Sequence, residues 1–188
     1  MKKIPTLFRR DEQDRRRVTP EVHPACAWVV AGEGVATRKY DGTCVRFDGT
    51  RWWARREVKQ GKAAPDGFVA VETDETTGNT VGWEPVEQSA YAKYHAEAVN
   101  GDEKTGTYEL CGPKVNGNPE RYDRHTLVPH EQAVVLTGDA EPPRDFDGLA
   151  AYLAEFPYEG IVWHHPDGRM AKLKRRDFPR PGAAGQRG

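Results

Sequence analysis

The chain has little cysteine, almost no net charge and no long apolar run, and each absence narrows its class. Three cysteines, Cys26, Cys44 and Cys111, occur in 188 residues. None forms a CxxC pair, and an odd, widely spread set argues against a disulfide framework, so the thiols are expected to be reduced. Six histidines include the neighbours His164 and His165, but adjacent residues on a strand point to opposite faces, and the ligand spacing of a structural zinc site is missing. No apolar run approaches the roughly 20 residues a membrane span needs. The opening MKKIPTLFRR lacks the apolar stretch of a secretory signal. A cytoplasmic protein with no membrane contact is therefore expected. A formal net charge of −1 leaves no global positive field to gather nucleic acid, so such binding has to rest on local patches.

What is present describes a polar globule with bulky core material. Hydrophobic residues make up 37% and charged residues 30%, with five tryptophans and six phenylalanines. This length suits one ordinary domain. Residues 1–24 are charged and carry prolines, which predicts a loosely ordered basic arm; 25–180 form the working domain, and 181–188 read as a flexible tail. There is no internal repeat and no low-complexity linker.

Alternation and turn chemistry predict mostly strands. TCVRF (43–47) and RWWAR (51–55) flank Asp48-Gly49, a favoured hairpin pair, and GFVAVET and TVGWEPV flank DETTGN in the same way. GTYELCG, QAVVLTG and EGIVWHH also read as strands. EQSAYAKYHAEAV (87–99) reads as an amphipathic helix, and DFDGLAAYLAEFP (145–157) as a second one stopped by Pro157. The class is α+β.

Register gives the first hint of a site. A two-residue Asp48-Gly49 turn would pair Phe47 with Thr50 and set Gly42 opposite Arg55, near the Lys39 end of the strand; a three-residue loop would shift this by one. A two-residue Asp167-Gly168 turn would pair Trp163 with Lys172 and Ile161 with Lys174, placing Glu159 and both lysines on one face. Pro-Asp-Gly can equally form a three-residue loop with a bulge, which reverses the parity.

KYDG (39–42), YELCG (108–112), and EGIV (159–162) followed by AKLK (171–174) resemble, in order and spacing, the lysine nucleotidyltransferase motifs of DNA ligases, RNA ligases and mRNA capping enzymes. KYDGTC, WARRE, GWEPVE, VNGNP, LVPH and EGIVWHHPDG resemble more closely the branch that contains the human 5′-to-3′ RNA ligase and its small relatives. The resemblance covers about Lys39 to Lys174. It implies the covalent nucleotidyltransferase (adenylyltransferase) fold, ATP-grasp-like, with antiparallel sheets flanked by helices. The short stretch after Lys174 adds the expectation of no oligonucleotide-binding barrel.

By the same resemblance, Lys39 is the nucleophile that takes AMP from ATP, and Asp41 and Gly42 belong to its motif. Arg55 matches a phosphate-contacting arginine, Glu109 a carboxylate that grips the ribose, and Glu159 a carboxylate that supports metal (Mg²⁺ or Mn²⁺) and phosphate. Lys172 and Lys174 match a pair that contacts the α-phosphate. Cys44 stands where many DNA ligases and capping enzymes carry arginine, which weakens the DNA-ligase reading.

A free lysine is almost wholly protonated at neutral pH (pKa about 10.4), so an attacking amine needs burial or positive neighbours to shed its proton. The expected activity is ATP-dependent RNA ligation for repair, joining 5′-phosphate and 3′-hydroxyl ends through lysyl-AMP and an adenylylated RNA end, with no obligate protein partner evident. The basic runs RRDEQDRRR (9–17) and KLKRRDFPR (172–180) nominate Arg15, Arg16, Arg17, Arg175 and Arg176 for RNA contact; a solvated face is the plain alternative. His130 is a further candidate for nucleotide or RNA contact, or a structural histidine, and Trp83 is a core residue or a base-pocket wall. The rival readings are a DNA-nick ligase, a capping-type transferase, and an inactive nucleotide- or RNA-binding module.

Overall fold

The computed structural model describes residues 2–178. In chain order the elements are β1 (Phe8–Arg10), β2 (Val18–Val22), α1 (Ala27–Val30), β3 (Val35–Lys39), β4 (Thr43–Phe47), β5 (Trp52–Val58), β6 (Val69–Thr73), β7 (Thr80–Pro85), α2 (Ala92–Ala98), β8 (Gly106–Cys111), β9 (Thr126–Pro129), α3 (Phe146–Glu155), β10 (Gly160–His164) and β11 (Met170–Lys174). Every strand pair is antiparallel, so the mixed, strand-rich class expected from the pattern is borne out. The chain divides into two units where one domain was expected. One takes Tyr40–Ala133 with the first few residues, the other Ile4–Lys39 and the chain from Val134 onward.

The second unit is built on the three-stranded sheet β11-β10-β3. Ile161, Trp163, Ala171 and Leu173 alternate inward and are fully buried, joined by Ala36 of β3 and by Leu149 and Leu153 of α3. The period of two then leaves Lys172 and Lys174 on the opposite face. Asp145 caps α3, accepting the Gly148 N–H at 2.8 Å.

Residues 2–24 are not a loose arm. Leu7 and Phe8 are buried with Val18 in this unit's core. Pro5–Leu7 run beside β11, with Leu7 N–H donating to Lys172 O at 2.8 Å and Lys172 N–H to Pro5 O at 3.0 Å. The charged loop between β1 and β2 hides these few apolar anchors in the sequence. The tail 181–188 lies outside the described residues.

The first unit carries the six-stranded sheet β6-β7-β5-β4-β8-β9. Val45, Ala54, Tyr108 and Leu110 face a core shared with Val86, Val115 and the tyrosines Tyr91 and Tyr94. Alternation sends Cys44, Arg46, Arg55, Trp83 and Glu109 to the other face, where Cys44 pairs with Glu109 and Arg55 with Trp83.

Several local expectations are corrected. Phe47 pairs with Trp52, not Thr50, because the Asp48 carboxylate accepts both the Thr50 and Arg51 N–H groups at 2.9 Å and holds a four-residue loop. The β10–β11 connection takes the three-residue option: His165 N–H donates to Arg169 O at 2.9 Å, with Gly168 at φ 90°. Residues 87–99 yield only the short α2, since Ser89 folds back on Val86 O at 2.7 Å and accepts Tyr91 N–H. QAVVLTG forms no full strand, although Arg38 N–H donates to Val134 O and Leu136 N–H to Ala36 O along β3.

Candidate active site

The second unit assembles a cationic cluster around one carboxylate. Gly160 pairs with Lys39 on one side and Lys174 on the other, so the three strands set two lysines in one row across a residue without a side chain. A Cβ at Gly160 would collide with Leu173 O and lie 2.8 Å from Lys174 Cα, which explains glycine at this close approach. Glu159, just before the strand, bridges both amines: Oε2 is 2.5 Å from Lys39 Nζ and Oε1 is 2.5 Å from Lys174 Nζ. The expectation that Glu159 joins the lysines by strand parity is replaced by this bridge from the strand's threshold.

The cluster is shielded. The Glu159 side chain is 8% exposed, and those of Lys39 and Lys174 are 19% and 17%. Burial pushes the Glu159 carboxyl up, but the charges of Lys39 and Lys174 outweigh it and hold the group below the usual carboxylate range. Lys172 sits one row further along, opposite Val162. Burial, then the charges of Lys174 and Lys39, bring it down from 10.5 to about 8. Among the described residues Lys172 has no ion-pair partner within 4 Å. Two ammonium groups thus share one carboxylate with a third beside them, while Asp177, which also acts on Lys172, is paired with Arg10; the excess positive charge fits an anion.

The first unit holds the other predicted residues. Gly42 N–H donates to Glu109 Oε1 at 3.1 Å. The space a side chain would need at Gly42 is taken by Leu110 O, Cys111 Sγ and Glu109 Cγ, and the register with Val45 opposite Ala54 does not set Gly42 opposite Arg55. His130 Nε2 lies 2.9 Å from Glu109 Oε2, and its Nδ1 lies 2.9 Å from Thr107 Oγ1. Arg55 and Arg46 approach the Trp83 ring at 5.6 and 5.8 Å, so Trp83 is buried beneath two guanidinium groups on the face opposite the apolar core.

Two contributors were missed by sequence reasoning. Asn116 Nδ2 donates to Asp41 Oδ1 at 3.1 Å and to Gly42 O at 2.7 Å, and Glu120 Oε1 accepts Asp41 N–H at 2.9 Å. Their loop holds Asn116, Asn118 and Arg121 at φ 49°, 56° and 57°, the left-handed region that costs non-glycine residues energy and that asparagine tolerates best. The run VNGNP carried that signal.

The nominated RNA contacts divide. Arg16 is tied to Asp14 at 2.8 Å, and Arg17 donates to the carbonyls of Arg176 at 2.8 Å and Phe178 at 2.5 Å, stapling the two basic runs together. Arg15, Arg175 and Arg176 are exposed. His130 has both ring nitrogens engaged inside its unit.

Among the described residues no group of three or more metal-ligating side chains exists. Glu159 alone fits Mg²⁺ only as one ligand of a cation that also brings phosphate and water oxygens. No helix among them is long and apolar enough to cross a membrane.

No family model matches the chain. Curated relatives do: it is 27% identical to RNA ligase 1 of Pongo abelii over 61% of this chain and 48% of that protein. It is 38% identical to RNA ligase 1 of Danio rerio over 37% of this chain and 23% of that protein, and 35% identical to that of Rattus norvegicus over the same shares. The chain thus spans between about a quarter and a half of the relatives it matches, and the resemblance to RNA ligases read from its motifs is borne out.

Proposed function

We propose that the chain is an ATP-dependent RNA ligase of the covalent nucleotidyltransferase type, with Lys39 as the residue that becomes adenylylated. The observation that carries this reading is the buried Glu159 carboxylate shared by Lys39 and Lys174, with Lys172 one row away. Similarity to proteins named RNA ligase 1 supports the substrate class.

An amine attacks only through its lone pair, and a carboxylate beside it favours the ammonium form. Release of Glu159 would leave Lys39 facing the charges of Lys172 and Lys174, which disfavour its protonation. Lys39 Nζ then attacks the α-phosphorus of ATP. The P–N bond forms, the bond to the bridging oxygen breaks, pyrophosphate leaves with the electron pair, and the amine proton passes to solvent. Lys172 and Lys174 stabilise the charge growing on the α-phosphate oxygens. Mg²⁺, held by Glu159 with phosphate and water oxygens, would supply charge neutralisation for the leaving group. In the first unit Glu109 is assigned to the ribose and Arg55 to phosphate. AMP next passes to an RNA 5′-phosphate, and a 3′-hydroxyl attacks that end and expels AMP. Arg15, Arg16, Arg175 and Arg176 are exposed cations offered to the strand.

The test is incubation with α-labelled ATP and Mg²⁺, followed by 5′-phosphorylated RNA, with nicked DNA and labelled GTP in parallel. Wild type is expected to retain ATP label through denaturation and pass it to RNA, and Lys39→Ala to take up none. Wild type without label sinks the transferase reading; label passed only to nicked DNA sinks the RNA assignment.

A further inference from the structure

We propose that His130 is a positioning residue that fixes the Glu109 carboxylate for ribose recognition, a role that rests on the transferase reading above. Glu109 is buried on β8, and both of its oxygens are engaged. Oε1 takes the Gly42 N–H at 3.1 Å, and Oε2 meets His130 Nε2 at 2.9 Å. An ionised carboxylate only accepts, so Nε2 carries the proton in this contact. In the neutral ring Nδ1 then accepts from the Thr107 hydroxyl, 2.9 Å away.

The fold delivers this chain of contacts economically. Thr107 and Glu109 are two residues apart on β8 and share a face. Leaving β9 at Pro129, which pairs with Tyr108, the backbone brings His130 alongside that face. Thr107 fixes the ring, the ring fixes one oxygen of Glu109, and a backbone N–H fixes the other. Each oxygen retains a second lone pair, so a carboxylate locked in plane can still accept a hydroxyl from a sugar. Contact with RNA phosphate would require His130 to abandon at least one of these partners. The geometry assigns it to the nucleotide side instead.

The experiment compares label uptake from α-labelled ATP with uptake from its 2′-deoxy and 3′-deoxy analogues, as ratios of kcat/KM within each variant, so that partial loss of folded protein cancels. Wild type is expected to discriminate against at least one analogue. His130→Ala should shrink that ratio at least about tenfold, the lower end of what is expected for hydrogen bonds to charged groups, toward the value of Glu109→Ala. The double variant should fall no further. His130→Gln, whose amide can donate to Glu109 and accept from Thr107, should recover most of the ratio. A His130→Ala protein that loses ATP and analogue uptake by the same factor overturns the proposal, as does a double variant that falls beyond Glu109→Ala. A wild type that uses ATP and both analogues equally also overturns it. A wild type that takes label from none of the three overturns the transferase reading itself and this role with it.

Discussion

Replacing Glu159 by glutamine keeps the shape of the side chain and removes the negative charge that Lys39 and Lys174 share beside Lys172. At an effective dielectric of about 20, each ion pair at 4 Å contributes roughly 4 kcal/mol. Glu159 makes two pairs, both at 2.5 Å. Desolvating the carboxylate takes back several kcal/mol, and breaking such a buried pair from one side usually costs about 3–5 kcal/mol. Glu159→Gln is therefore expected to lose about 3 kcal/mol at neutral pH. The loss has a definite pH dependence. Without the carboxylate Lys172, already brought down to about 8 by burial and by Lys174 and Lys39, loses a charge that holds it up and falls further; the penalty is full below that depressed value and fades as pH rises toward 10.5. Urea unfolding of wild type and variant at neutral and alkaline pH measures this directly. A difference in stability that is absent at neutral pH, or that widens as pH rises, would refute the electrostatic account of the cluster.

Lys172, brought down to about 8 by burial and by its lysine neighbours, keeps its charge below that pH and loses it above. The kcat/KM for label uptake should accordingly show a falling limb near pH 8 that Lys172→Arg moves to higher pH; an unchanged limb would remove Lys172 from the chemistry. Gly160→Ala should push Leu173 O, and β11 with it, away from β10 and cut uptake by about a hundredfold, as misplacement by about 1 Å does, checked by single-turnover labelling alongside circular dichroism. Leu7→Ala, at a fully buried position beside Lys172, should cost about 2–5 kcal/mol in denaturant unfolding, whereas a loose arm would lose nothing.

Alternation carried most of the strand assignments, because a period of two is written directly in runs such as GIVWH and AKLK. Those same runs separate Ile161, Trp163, Ala171 and Leu173 from Lys172 and Lys174. Turns were harder to read. Asp48-Gly49 looks like a tight hairpin pair, yet the Asp48 carboxylate captures two backbone N–H groups and lengthens the loop; Pro-Asp-Gly left two registers open, and the three-residue form prevailed. The arm was misread since Leu7, Phe8 and Val18 are too few to show a period among so many charges. Asn116, Glu120 and the Thr107 contact of His130 were illegible for another reason: their partners lie far along the chain, and side-chain hydrogen bonds of that kind leave no local pattern. The resemblance nominates Lys39, Glu109, Glu159 and Lys172, and the bridge from Glu159 to two amines emerges only with the fold.

The most direct measurement is peptide mapping by mass spectrometry after incubation with ATP and Mg²⁺. The peptide containing Lys39 is expected to gain the mass of AMP through an acid-labile, alkali-stable phosphoramidate. An unmodified Lys39 peptide, or AMP found on Lys172 or Lys174 instead, would contradict the assignment of the nucleophile.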